Sequence, residues 1–167
     1  MKQNELAILA MLSHSEGTDR AADPYRVCYG FPAAWAHRIA DLSEHPAVAT
    51  PTHAIEWSGE SLASLGPRYD GEVSTAAGRF QINRPSWLEG QRALGLPDFT
   101  APSQCDWVLW KIKQLGASAL LDAGEFLPVL DKLRGTWASL PGGASGQPQK
   151  TIEDLVFAYV QAGGSLA

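Results

Sequence analysis

Glu16 is the carboxyl group of this sequence best placed to act as a general acid. It follows an apolar stretch at residues 6–12 and directly precedes Gly17. A carboxyl group held in apolar surroundings has a raised pKa and can keep its proton near neutral pH, ready to donate it. The alternative is an ordinary solvated acid at a helix end, since most glutamates are exposed.

A second candidate region runs from small residues into alternating polar and apolar ones. Its sequence is Ser74-Thr75-Ala76-Ala77-Gly78-Arg79-Phe80-Gln81-Ile82. Small side chains allow another group to approach the backbone closely. The alternation predicts a short strand over residues 79–82 with Arg79 and Gln81 on one face and Gly78 and Phe80 on the other. A plain turn leading into a strand is the alternative.

The histidines and cysteines do not have the spacing of a metal site. No two of the four histidines share a helical i, i+4 face with a third ligand in view. Cys28 and Cys105 are isolated, which excludes paired zinc spacings and a disulfide framework. We expect no metal or other cofactor, and we predict both cysteines to be buried, reduced thiols.

Glu16 must be positioned by the first predicted element, a helix over residues 3–14. This segment has no glycine or proline, and its centre is almost continuously apolar. Such a pattern indicates a helix buried on most sides rather than an amphipathic surface helix. Gly17 is expected to end it. Turn signals then predict irregular structure over residues 18–32 and, over residues 43–85, short strands at most.

The second half of the chain predicts four more helices, over residues 86–94, 103–116, 125–134 and 152–161. The residues expected to cap or end them are Ser86, Gly95, Ser103, Asp106, Thr151, Asp154, Gly163 and Gly164. A loop rich in small residues, 137–148, separates the last two helices and is long enough to suggest a function. This order of elements predicts an α+β domain weighted to helix. Trp87, Trp107 and Trp110 fall on the helices and are predicted to pack in the core.

The length and composition are typical of one ordinary soluble domain. The 167 residues are 45% hydrophobic, and the formal net charge is -5 with a pI near 5.3. The 13 basic residues are scattered, so we expect no nucleic-acid partner. The seven-residue apolar run is far shorter than the roughly 20 residues that span a bilayer. As the apolar core of a signal sequence the run would be minimal, and Glu5 borders it. We therefore expect synthesis in the cytoplasm and no membrane insertion.

Four blocks of the chain resemble, in the same order, segments of the phage lambda endolysin family. They are Ser15-Glu16-Gly17-Thr18-Asp19, Ser43-Glu44-His45-Pro46, residues 74–81, and Trp137-Ala138-Ser139-Leu140-Pro141-Gly142. The blocks span most of the chain, and four in order are specific where one would be a coincidence. Residues 77–82 are also similar to the Gly-Leu-Met-Gln element of soluble lytic transglycosylases.

The resemblance implies a lysozyme-like α+β fold, mostly helical with a small irregular antiparallel sheet, as one catalytic domain over residues 1–167. It also implies cleavage of the β-1,4 bond between N-acetylmuramic acid and N-acetylglucosamine in peptidoglycan. The products of this family end in 1,6-anhydro-muramic acid, so no water is added. Glu16 matches the family's catalytic glutamate.

A single carboxyl group is enough for this reaction, because the sugar supplies its own nucleophile. The large coliphage lysozymes pair their glutamate with an aspartate and a threonine, but the corresponding positions here hold Tyr25 and Phe31. Asp19 is as well placed to bond loop amides, and Asp23 precedes Pro24, where Asx-turns are common. We therefore expect neither aspartate to act as a nucleophile.

The resemblance also implies substrate-binding positions. Gln81 would face the cleft and either hydrogen-bond the substrate or orient Glu16, while the backbone of Ala77 and Gly78 would admit a sugar. The loop containing Ser145 would form the opposite rim, and Trp137 is better explained as a core residue. The chain departs from the family at Arg26, where relatives have aspartate, and at Ser145, where they have tyrosine. These two departures put subsite contacts in doubt and leave the reaction class unchanged.

The interpretation is a monomeric phage endolysin that binds peptidoglycan glycan strands, made in the host cytoplasm and released to the wall through a holin-type membrane lesion. A hydrolysing muramidase using the same glutamate is the first alternative. A glycan-binding module that has lost turnover is the second. The retained acid at Glu16 argues against the second, because a binding module does not need a carboxyl flanked by apolar residues.

Overall fold

The computed structural model describes residues 1–28, 39–48, 60–61, 73–143 and 149–167. Its contacts divide the chain into two compact units. The first unit consists of Met1–Asp19 and Val108–Ala167, and the second of Arg20–Trp107. The single catalytic domain expected over residues 1–167 stays a prediction.

The first unit is built around helix α1, Gln3–Ser15, which confirms the predicted N-terminal helix. Ile8, Met11 and Leu12 are fully buried, as the continuous apolar centre predicts. Asn4 is buried as well, and its side-chain amide donates to the Leu121 carbonyl at 2.8 Å. Helix α1 packs on the C-terminal helix, so the apolar run that could be read as a signal sequence is part of the core.

Three further helices belong to the first unit. They are α4, Ser118–Asp122; α5, Phe126–Leu133; and α6, Ile152–Gln161. The predictions for α5 and α6 are confirmed, including the capping box in which the Asp154 amide donates to the Thr151 hydroxyl at 3.1 Å. Gly163 follows α6 with φ 87°, as expected for the end of a helix. Helix α4 was not predicted, because five residues are too few for a periodic pattern.

Helix α2, Arg84–Leu94, begins earlier than predicted. Its cap is Asn83, whose side-chain oxygen accepts from the Ser86 amide at 3.0 Å, so the expected cap at Ser86 is wrong. Asparagine caps as well as serine, and starting there places Pro85 in the first turn, where proline is tolerated. Gly95 ends the helix in the left-handed conformation, φ 66°, as predicted.

Helix α3, Ala101–Gln114, also starts before its predicted cap. The Ser103 hydroxyl donates to Asp98 at 2.8 Å instead of capping a helix with Asp106. Asp98 accepts from the Thr100 amide and hydroxyl as well, at 2.9 and 2.7 Å. The aspartate before the helix therefore organises this start, and Ser103 lies inside the first turn.

Strand structure is limited among the described residues. Strands β1, Glu60–Ser61, and β2, Val73–Ser74, form one antiparallel pair with Glu60 opposite Ser74. Two residues per strand are too few to establish the small irregular sheet implied by the family resemblance, so the structure supports a helix-rich fold only. Most of the other positions where short strands were expected lie outside the described residues.

The strand predicted over residues 79–82 is wrong. The amides of Ala77 and Ile82 each donate to the other's carbonyl, at 3.1 and 2.9 Å, and the residues between them form a tight turn. Gly78 and Gln81 have φ values of 74° and 48°, which belong to the left-handed region and cannot occur in an extended strand. The expected alternation of faces therefore does not exist here.

The core of the second unit is aromatic. His45 is fully buried, 4.7 Å from Phe99 and 6.2 Å from Trp87 between ring centroids. Trp87 and Trp107 are buried as predicted, whereas Trp110 in the first unit is only partly buried. Both cysteines are free and buried, as predicted. Among the described residues, no helix combines the length and apolar character needed to cross a membrane.

Candidate active site

Glu16 is held at the end of α1. Its amide donates to the Leu12 carbonyl at 3.0 Å, so its backbone continues the last helical turn. Gly17 has φ 72° and turns the chain sharply away immediately after it. Glycine is favoured here because a Cβ atom makes this conformation costly. The pairing of an acid with a following glycine, visible in the sequence, thus fixes where the carboxyl group leaves the helix.

The turn after Glu16 is tied back to the helix by two buried hydroxyl groups. The Thr18 hydroxyl donates to the Ser13 carbonyl at 3.2 Å and lies 2.9 Å from the Ser13 hydroxyl. Both side chains are essentially inaccessible to solvent, at 0 and 1% exposure. Because this closure spans the residues on either side of Glu16, it restricts the direction in which the Glu16 side chain can point.

Burial changes the acidity of Glu16. Its side chain is only partly exposed, and desolvation raises its pKa from 4.5 to about 7. A hydrogen bond from the Ser139 hydroxyl to Oε1, 2.6 Å long, opposes this effect because it stabilises the charged form. The balance leaves a carboxyl group that is substantially protonated near neutral pH, which is what proton donation requires.

Ser139 is connected in turn to Ser15. Their hydroxyl oxygens are 2.7 Å apart, and both side chains are buried. Neither serine was singled out from the sequence, although each lies in a quoted block, one directly before Glu16 and the other two residues after Trp137. Trp137 itself is buried, as predicted. Both serines are therefore visible in the sequence as parts of motifs. Their contact with each other and with Glu16 appears only in the folded structure.

The two neighbouring aspartates are engaged elsewhere. Asp19 lies 2.8 Å from the Nδ1 atom of His14, a partner the sequence did not suggest. Asp23 accepts from the Tyr25 amide at 3.2 Å, which confirms the Asx-turn, and pairs with Arg26 at 3.1 Å. Both aspartates therefore have local partners, and the expectation that neither acts as a nucleophile stays a prediction.

Gln81 and its neighbours lie in the second unit. The Gln81 side-chain amide donates to the Gly78 carbonyl at 2.9 Å, across the turn it closes. Ala77 is fully buried, and a Cβ atom at Gly78 would collide with the Gln104 side chain. Packing against Gln104 and the left-handed backbone of residue 78, φ 74°, both favour glycine at this position. Contact of these three residues with a sugar stays a prediction.

The two departures from the family pattern have different outcomes. Arg26 donates to the carbonyls of Ile39 and Ala40, at 2.8 and 2.7 Å, so this arginine holds the neighbouring backbone. Ser145 lies outside the described residues, and its predicted binding role stays a prediction. Among the residues that are described, no group of three or more His, Cys, Asp or Glu side chains could hold a metal ion.

Known proteins match this sequence over nearly its full length. The Endolysin family model matches residues 6–166. The endolysin of Escherichia phage lambda is 32% identical over 161 residues, which cover 96% of this chain and 91% of that protein. The endolysin of Escherichia phage P2 is 33% identical over 162 residues, covering 97% and 94%.

Solved structures agree with the sequence comparisons. A bacteriophage lambda lysozyme complexed with a chitohexasaccharide superposes with a TM-score of 0.79 at 31% identity. A second structure, lysozyme from bacteriophage lambda, gives a TM-score of 0.75 at 29% identity. Each match covers 100% of this chain and 98% of the other. The helix-rich fold is therefore similar to that of lambda lysozyme.

Proposed function

The chain belongs to the endolysin family, and from this membership we propose that it is a phage endolysin that degrades bacterial peptidoglycan as a lytic transglycosylase. The observation that carries the proposal is Glu16, a partly buried carboxyl group with a pKa near 7 and a hydroxyl partner on one oxygen. A glycan substrate is supported by the lambda lysozyme structure, which holds a chitohexasaccharide.

Glu16 would act first as an acid and then as a base. The protonated carboxyl group donates its proton to the glycosidic oxygen as the bond to the muramoyl anomeric carbon breaks. The resulting carboxylate removes the proton from the muramoyl C6 hydroxyl while that oxygen attacks the anomeric carbon. The 1,6-anhydro ring forms, Glu16 is protonated again, and no water is consumed. The C6 hydroxyl needs no separate binding step because it belongs to the same sugar.

The engagement of Asp19 and Asp23 supports this route over hydrolysis. Ordinary glycosidases use a second carboxylate about 5 Å away as a nucleophile, or about 6.5–9.5 Å away to activate water. Asp19 is paired with His14, and Asp23 with Tyr25 and Arg26. An intramolecular nucleophile removes the need for either.

Mass spectrometry of the soluble products tests the reaction class. Purified protein incubated with peptidoglycan should release muropeptides that each lack one water relative to reducing ends. Borohydride treatment should leave their mass unchanged, because anhydro ends cannot be reduced. Reducible ends that disappear in Glu16→Gln would identify a hydrolysing muramidase instead. Retained wall binding with no products from either protein would identify a glycan-binding module.

Gln81 is proposed to contact the substrate together with the backbone of Ala77 and Gly78. The support is the unusual backbone of Gln81, since a non-glycine residue with φ 48° costs free energy and such strain concentrates at functional sites. Gln81→Gly should relieve this strain, leaving the free energy of unfolding within about 1 kcal/mol of wild type. Activity on peptidoglycan should nevertheless fall by about tenfold, as expected for one lost substrate hydrogen bond.

Activity assays and urea unfolding of Gln81→Gly check both halves of this prediction. Gln81→Asn is the matched control for backbone strain, because asparagine tolerates left-handed backbone but carries a shorter amide. Wild-type activity in Gln81→Gly would show that the side chain makes no productive contact. Loss of stability in step with activity would assign Gln81 to the turn alone.

We also propose that the protein is made in the host cytoplasm and reaches the wall through a separate membrane lesion. The support is that Ile8, Met11 and Leu12 are fully buried within α1. Removal of this segment as a signal peptide would take away the core of the first unit and the helix that carries Glu16.

A further inference from the structure

The hydrogen bonds around Glu16 have a direction that follows from counting protons. Ser139 has one hydroxyl proton, and it donates that proton to Glu16 Oε1 at 2.6 Å. The 2.7 Å contact between the Ser139 and Ser15 hydroxyl groups must then use the Ser15 proton. The chain of donors therefore runs from Ser15 to Ser139 to Glu16.

The buried surroundings strengthen this series of hydrogen bonds. Ser15 and Ser139 are only 6 and 5% exposed, so water competes little for their hydroxyl groups. The 2.6 Å length is typical of a hydroxyl bound to a carboxylate, a contact roughly twice as strong as one between neutral groups. Chained hydroxyl groups also polarise one another in a low-dielectric setting, so the second serine strengthens the first contact.

We propose that Ser15 and Ser139 are positioning residues that form a hydroxyl relay, orienting Glu16 and stabilising its carboxylate each time it has given up its proton. The proposal rests on the proposed role of Glu16 as acid and then base. The relay assigns a role to each carboxyl oxygen. Because Oε1 accepts from Ser139, Oε2 carries the proton to the glycosidic oxygen and later accepts the proton of the C6 hydroxyl.

The relay sets the pH at which Glu16 loses its proton. Ser139→Ala removes a donor to the charged form, so the Glu16 pKa should rise by about one pH unit, the effect of one hydrogen bond to a charged group. The alkaline limb of kcat/KM should move upward by the same amount. At pH 5.5, kcat/KM should fall by about tenfold, because the carboxylate formed in the reaction loses its partner. Ser15→Ala should produce a smaller shift in the same direction.

The pKa of Glu16 can be measured by carboxyl carbon NMR, independently of turnover, and compared with the pH profile of peptidoglycan solubilisation. Ser103→Ala is the matched control, since Ser103 is equally buried and donates to the carboxylate of Asp98 at 2.8 Å. This control should leave the Glu16 pKa and the pH profile unchanged. Ser139→Thr keeps a hydroxyl group and should return both values toward wild type.

An unchanged or lowered Glu16 pKa in Ser139→Ala would overturn the relay, as would an equal shift in Ser103→Ala. If Ser139→Ala does not fold, Ser15→Ala decides the question by the same two readouts. If the Glu16 pKa rises in Ser139→Ala but the wild-type protein releases no muropeptides, the relay stands and the proposed function is overturned. The two proposals therefore fail separately.

Discussion

Replacing Glu16 with glutamine is expected to lower the rate of peptidoglycan solubilisation by about 10³-fold, within the range attributed to a positioned acid or base. The amide matches the carboxyl group in size but can neither donate an acidic proton nor accept one from the C6 hydroxyl. Turbidity loss of purified cell walls, followed at pH 6, measures the effect. Glu5→Gln is the matched control, because Glu5 lies on the same helix and accepts from the amide of its local neighbour Lys2 at 2.6 Å.

The same variant tests the environment of Glu16 through stability. A carboxyl group whose folded pKa is raised from 4.5 to about 7 destabilises the folded protein once it ionises. The contribution of protonated Glu16 to the free energy of unfolding is fully present below pH 4.5 and is lost as the pH rises through 7. Glu16→Gln should therefore be more stable than wild type by about 2 kcal/mol at pH 8, with a smaller difference at pH 5.

Urea unfolding at the two pH values gives this difference directly. A stabilised but inactive variant would place Glu16 among functional residues that lower stability. A variant that loses activity and stability together at pH 8 would point to a structural role. Retained activity in Glu16→Gln would remove this residue from the mechanism and reopen the search for an acid.

Acid is expected to destabilise the wild-type protein through His45. Burial lowers the pKa of His45 from 6.5 to about 4, although its Nε2 donates to the Ile82 carbonyl at 2.9 Å and thereby favours the charged form. Its Nδ1 accepts from the Ala47 amide at 3.2 Å, so protonation would also remove that bond. The unfolded chain thus binds a proton that the folded protein does not.

The sign of the effect follows from that proton. The contribution of neutral His45 to the free energy of unfolding is fully present above pH 6.5. It is lost as the pH falls through 4, and the loss is about 3 kcal/mol. His45→Gln keeps a donor for the Ile82 carbonyl but does not titrate, so its unfolding free energy should lack this loss. Because Glu16 is present in both proteins, its opposite pH dependence cancels from the comparison. Parallel stability curves between pH 7.5 and 4 would contradict the role of His45.

His45 also shows how far the sequence could go. The block Ser43-Glu44-His45-Pro46 resembles the family in the sequence, but the sequence does not indicate that its histidine is buried. Only the fold brings His45 against Trp87 and Phe99, and its partner Ile82 is 37 residues away. Contacts of this range leave no periodic signal in the sequence, so burial of the imidazole could not be predicted.

The errors in the predicted elements have a common cause. Ser86 and Ser103 are reasonable caps by residue type, but a polar side chain precedes each of them. Asn83 accepts from the Ser86 amide, and Asp98 accepts from the Ser103 hydroxyl. The strand over residues 79–82 followed from alternation, which does not reveal the left-handed backbone of Gln81. When two local signals compete, tertiary packing decides which one is used.

The sequence by itself determined the buried α1 helix, the acid and glycine that follow it, the capping box of α6 and the family. These features depend on residues within a few positions of one another, where periodicity and capping act. Tertiary structure alone decided the raised pKa of Glu16 and its hydroxyl partner Ser139, which is 123 residues away. Desolvation and hydrogen bonds between distant segments arise only when the chain has folded. Desolvation raises the pKa of Glu16 so that the carboxyl group can hold a proton near neutral pH, and the hydrogen bond from Ser139 moderates that rise.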